Sequence, residues 1–154
     1  MAWFDIFILK GCVYSMDFIL LIVLFIWFSL ILPGVKVGRF VLCGSAIKGR
    51  SKLEIIMWLV FLLLLPIYVL LPFVGSIAML VFLLLWLVAQ WFFTIQYIFF
   101  PNEHRIKAYN QHFKHSHHII KPSDKRLVPD TYHIVLFVLL AICLATTIFN
   151  LIYS

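Results

Sequence analysis

The chain has 154 residues, of which 65% are hydrophobic and only 12% charged, with a formal net charge of +6; its mean hydropathy is +1.12. Soluble proteins carry roughly 25% charged residues, so this composition cannot coat a water-facing surface and excludes an ordinary soluble fold. In such a chain positive charge reports first on the positive-inside bias and only second on binding, which leaves nucleic acid at most an indirect partner.

Residues 1–16 (MAWFDIFILKGCVYSM) are apolar and aromatic but broken by Asp5, Lys10 and Gly11. Trp3, Phe4, Phe7 and Tyr14 suit the headgroup level of a bilayer, so the segment reads as interfacial. It has no basic n-region and no small-residue cleavage site, and so predicts no removable signal peptide. A first span is expected over 17–32, stopped by Pro33-Gly34. Its apolar core is short for a hydrocarbon layer of about 30 Å.

The loop 33–53 holds Lys36, Arg39, Lys48, Arg50 and Lys52, with no acid before Glu54. These cations are placed to meet lipid headgroups, at roughly 1 kcal/mol each near an anionic surface. The middle of the loop, VGRFVLCGSAI, is apolar enough to lie on the membrane or to dock against the bundle. A second span over 54–71 contains Pro66, which frees a carbonyl inside the helix. Pro72 to Ser76 reads as a tight turn that makes a helical hairpin with a third span over 77–100. On that span Gln90, Thr94 and Tyr97 recur at i, i+4 and i+7, with Gln96 beside them. Such a polar stripe serves interhelical hydrogen bonding or, in an oligomer, lines a water-filled path.

The loop 101–132 carries Arg105, Lys107, Lys114, Lys121, Lys125 and Arg126, the residues expected to bind a partner, together with five of the six histidines. Zinc sites want four N or S ligands, and His112, His115, His117 and His118 are the one local set of imidazoles. No cysteine is near them, and H-x-x-H-x-H-H is neither HEXXH nor the histidine box of membrane di-iron enzymes. The sequence therefore predicts no metal and no cofactor; the histidines read as headgroup-facing polar residues or as a pH-sensing set. On the last span, 133–152, Ala141 and Ala145 are four apart and small enough for close helix–helix packing, with Cys143 and Thr147 as a parallel pair.

Eleven of the twelve Lys and Arg residues fall in the two loops, which puts both loops on one side. The expected fold is an all-α integral membrane protein with four transmembrane helices, N-out and C-out, after an N-terminal interfacial segment. It is one domain, in a bacterial inner (plasma) membrane or an organelle inner membrane. Cys12, Cys43 and Cys143 fall in three different environments and predict no disulfide. Asp17 and Glu54 sit at span ends, so the spans read as nearly free of ionisable groups. That argues against a proton-translocating subunit, an ion-coupled transporter and an interhelical haem. No nucleophile frame or phosphate loop occurs, and no enzyme is expected. The expected function is a non-catalytic multi-pass subunit that contacts membrane lipid and anchors or scaffolds a homo-oligomeric assembly. Its basic loops recruit a cytoplasmic protein partner or effector, in the manner of small membrane proteins of bacterial defence systems. Two alternatives stay open: a small oligomeric channel lined by the third-span stripe, and an accessory subunit of a respiratory or biosynthetic complex.

Overall fold

The computed structural model describes residues 2–37, 40–43, 52–113, 116–121, 123 and 125–153, with the backbone alone of 2–13, 37, 40, 93, 112 and 153. Helix α1 (Ala2–Ser29) runs unbroken from the segment expected to be interfacial into the expected first span. It gives way to turns at Leu30, after which Gly34 adopts φ 70°. The Gly34 N–H returns to Leu30 O at 3.1 Å, the left-handed stop that a glycine permits without steric penalty.

Strands β1 (Val35–Val37) and β2 (Phe40–Cys43) come next as an antiparallel hairpin. Val35 lies opposite Cys43 and Lys36 opposite Val41, with a bulge between Val35 and Lys36. The fold is therefore mostly helical rather than all-α. The β-branched and aromatic residues of VKV and FVLC favour a pleated strand once Pro33-Gly34 has stopped the helix.

Only Leu71 separates α2 (Lys52–Leu70) from α3 (Pro72–Gln90). The turn expected over Pro72–Ser76 is instead the first turn of α3. Proline at the first helical position loses no hydrogen bond, because that N–H has no intrahelical partner. A π-helical stretch, Trp91–Ile95, and the short α4 (Gln96–Phe99) extend this arm. Helix α5 (Glu103–His112) starts at Asn102, whose Oδ1 accepts from the Arg105 N–H at 3.2 Å. Glu103 adds a negative charge at the positive helix end. Helix α6 (Thr131–Tyr153) closes the described chain.

Among the described residues α2, α3 and α6 are long and apolar enough to cross a membrane. Helices α2 and α3 have 19 residues each, about 28 Å of rise against a hydrocarbon layer of about 30 Å. Packing uses a narrow strip of each helix: Leu21, Leu24 and Phe28 on α1, Phe61 and Leu65 on α2, Met79, Leu83 and Trp86 on α3, and Leu136, Leu140 and Cys143 on α6. The alternation of three and four residues is a coiled-coil-like seam. Outside it the surface stays apolar, with Leu63, Leu70, Phe73 and Leu85 all more than 60% exposed. A helix that is hydrophobic on its outer face as well as its inner one is solvated by lipid. Side-chain hydrogen bonds cross-link the strip. Trp58 Nε1 donates to Ser29 Oγ at 2.8 Å, and Trp27 Nε1 donates to Tyr132 O at 3.3 Å.

Cys43, buried on β2, donates from Sγ to Leu30 O at 3.2 Å. Burial raises its thiol pKa and the Asp130 charge adds to that, against a lowering by a backbone hydrogen bond at Val35. The group is therefore a shielded thiol at about pH 8, where an ordinary cysteine is partly thiolate. In a Cys12→Ser, Cys143→Ser background, maleimide should label folded protein far more slowly than denatured protein. Equal rates would contradict the packing of β2 against the end of α1.

Candidate functional site

The described parts of the two basic loops meet in one cap at the same end of the bundle. Val41 on β2 forms a parallel bridge with Ser116, and the His117 N–H donates to Val41 O at 2.9 Å. His117 is held in turn to the start of α6. The Thr131 N–H donates to His117 O at 2.9 Å, and His117 Nδ1 lies 2.7 Å from Thr131 Oγ1. Helix α5 joins the same body through Asn110 Nδ2, which donates to Ser123 O at 3.1 Å, and through Tyr109 OH, which accepts from the Asp130 N–H at 3.2 Å. Burial first, and then the neighbouring Asp130 charge, raise the Tyr109 pKa, so this phenol stays protonated.

On the cap surface Lys36, Lys52, Arg105, Lys107, Lys121, Lys125 and Arg126 are all exposed. Arg105 also sits over the Tyr97 ring, 5.9 Å from its centroid. Arg39, Lys48, Arg50, Lys114 and His115 lie outside the described residues, as does the side chain of His112. Of the histidine set, His117 bonds Thr131, and His118 Nε2 lies 3.3 Å from Phe113 O. Among the described residues no group of three or more His, Cys, Asp or Glu could hold a metal ion.

Gln90, Thr94, Gln96 and Tyr97 do not form one stripe. The π-helical stretch Trp91–Ile95, which includes Thr94, shifts the helical register between Gln90 and the Gln96–Tyr97 pair. Gln90 and Thr94 face two cavities within the chain, of about 710 Å³ and about 330 Å³, which share these two residues and His133. Gln96 Nε2 turns back to Phe92 O on its own helix. The larger cavity is an apolar groove walled by Leu87, Ile98, Phe137 and Val138, with Arg126 at the loop end. The smaller is bordered by Phe28, Glu54, Trp86 and Tyr132. His133 is fixed between them, since fully buried Asp130 accepts from its backbone N–H at 3.0 Å and from its Nδ1 at 2.5 Å through one oxygen.

A second polar cluster, at the opposite end, corrects the expectation that the bundle interior lacks ionisable groups. Asp17 is inside α1 and completely buried. Its Oδ2 accepts from Tyr68 OH at 2.5 Å, and its Oδ1 accepts from Thr146 Oγ1 at 2.7 Å and Thr147 Oγ1 at 3.2 Å. Asn150 Nδ2 donates to Tyr68 OH at 3.0 Å, and buried Ser76 lies against the same hydroxyl. The carboxylate itself bonds α2 and α6, and Ser76 brings α3 into the cluster through Tyr68. The legible signal was Thr146-Thr147 with Asn150 in the last apolar run, which put three hydrogen-bonding side chains within about one turn of helix.

Ala141 and Ala145 are exposed on the outer face of α6, whereas Cys143 and Thr147 are fully buried. The close approach within the chain is made by the second pair.

Comparison of the chain with protein families, with characterised proteins and with solved structures gives no match.

Proposed function

We propose that this chain is a non-catalytic membrane anchor whose cap recruits an acidic soluble protein. In this reading α1 is a fourth span, both termini face out, and the cap lies on the cytoplasmic side of a bacterial plasma membrane. The observation that carries it is the union of the two basic loops through Val41, Ser116, His117 and Thr131. Flexible basic loops would spread their charge, whereas a folded cap holds seven described cations on one body. A fixed positive surface steers and orients an acidic partner. A pore along the third-span stripe draws no comparable support, because Gln90 and Thr94 turn into the chain's own cavities.

The test is purification of the affinity-tagged protein in mild detergent, beside a variant with Arg105→Glu, Lys107→Glu, Lys121→Glu and Lys125→Glu. A stoichiometric soluble protein with an acidic surface is expected on the parent protein and at least tenfold less on the variant, with detergent elution profiles unchanged. Equal recovery on both, or no soluble protein on the parent, overturns the reading. The topology is checked in parallel by impermeant labelling of Lys52→Cys and Lys125→Cys, expected only from the cytoplasmic face.

A further inference from the structure

We propose that the Asp17 cluster, at the end of the bundle away from the cap, is a binding site for a small monovalent cation of the sodium type. Charge is the first reason. Asp17 is a completely buried carboxylate, and a buried charge without a counter-charge is among the most costly groups a protein can hold. Hydroxyl and amide groups surround it: Tyr68, Thr146 and Thr147 bond its oxygens, and Asn150 and Ser76 stand behind Tyr68. Such hydrogen bonds spread a negative charge but do not cancel it. Among the described residues the one ion pair is His133–Asp130, in the cap, so no described side chain supplies the positive charge that Asp17 lacks.

The ligand chemistry is the second reason. Asp17, Tyr68, Ser76, Thr146 and Thr147 present oxygen atoms and come from α1, α2, α3 and α6. Oxygen ligands suit hard cations, whereas zinc and its neighbours favour imidazole or thiolate. The site is thus of a different kind from one made of three or more His, Cys, Asp or Glu, which the described residues do not form. One monovalent ion neutralises one carboxylate; a divalent ion would leave a buried charge of its own. Hydroxyls at 2.5, 2.7 and 3.2 Å from the carboxylate oxygens keep the cluster compact, which suits a small ion. Thr146 Oγ1 already lies 3.0 Å from Cys143 O, so its proton can turn to that carbonyl and leave its lone pairs for the ion. Tyr68 and Ser76 flank the Leu71 connection within about one to one and a half helical turns, so the ion has little depth to cross. The sequence-level case against ion coupling rested on spans free of ionisable groups, and Asp17 removes that premise.

Melting of the purified protein in detergent, followed by circular dichroism in sodium, potassium or choline chloride at equal ionic strength, tests the assignment. Sodium at tenfold its half-saturating concentration is expected to raise the melting temperature by roughly 3–6 °C over choline, with potassium well below sodium. Asp17→Asn, which keeps the shape and removes the charge, should abolish the sodium shift. Thr147→Val keeps the carboxylate and removes one oxygen; it should raise the half-saturating sodium concentration by about tenfold, and it carries the test where Asp17→Asn does not fold. Equal melting in the three salts overturns the proposal, as does a sodium shift that survives Asp17→Asn, or melting that follows pH and not the salt. Because the cluster lies away from the cap and the melts need no partner, loss of partner recruitment and loss of the sodium shift are read separately.

Discussion

Gly75→Ala is expected to break the α2–α3 hairpin. A Cβ at Gly75 would fall on Tyr68 Cα and lie 2.7 Å from both Ile67 O and Tyr68 N, all of them backbone atoms. No rotamer change relieves that contact, so the two helices must part. Overpacking costs about 1–3 kcal/mol and sometimes more, and a clash with backbone belongs at the upper end. For a chain of this size about 3 kcal/mol corresponds to roughly 6–12 °C of melting temperature. The loss should be larger than a local clash implies, because Tyr68 also bonds Asp17, and displacing it loosens α1. Circular dichroism melts in detergent measure the effect, with Val74→Ala, which is 56% exposed, as a control expected within about 0.5 kcal/mol. Equal melting of the two variants would mean that the helices do not approach as described.

The second large effect belongs to Asp17. Asp17→Ala removes the acceptor for three hydroxyls at once. They do not lose equally. Thr146 Oγ1 also lies 3.0 Å from Cys143 O, so its single proton has a ready alternative on its own helix. Tyr68 OH has the Ser76 hydroxyl beside it as an alternative partner, whereas Thr147 Oγ1 bonds Asp17, and a buried donor left unmade costs about 1–3 kcal/mol. A loss of about 1–3 kcal/mol is expected from Thr147, with a smaller addition from Tyr68. It should be larger for Asp17→Ala than for Asp17→Asn, which keeps one oxygen facing the threonines. A double-mutant cycle with Tyr68→Phe isolates the phenol contact. Additive losses in that cycle would show that Asp17 and Tyr68 do not interact.

The membrane-crossing helices were legible because their signal is distributed: a long apolar run announces itself whatever its neighbours do. Their ends were less so. Pro72 carries two opposite signals, breaker in a helix interior and favoured opener at the first position, and only the neighbouring turn decides between them. The β hairpin was hidden in a stretch that reads as apolar loop, since seven residues of strand are too short for a periodic pattern to stand out. The parting of Gln90 and Thr94 from Gln96 and Tyr97 depends on a π-helical stretch that no local composition marks. Asp17 was missed for a different reason. Its position in the sequence is a boundary between segments, but its position in space is set by Tyr68, Thr146 and Thr147, which lie 51, 129 and 130 residues away. The Asp130–His133 pair was equally invisible, because a three-residue spacing at a helix start first suggests a cap.

Helix α6 is anchored at both of its extremities. The Thr131 end is fastened to His117 and Asp130, and the Asn150 end to Tyr68. A helix of 23 residues is a stiff strut about 34 Å long. A tug on the cap therefore cannot be absorbed where it is applied; it travels down the strut and arrives at Asp17, on the far side of the molecule.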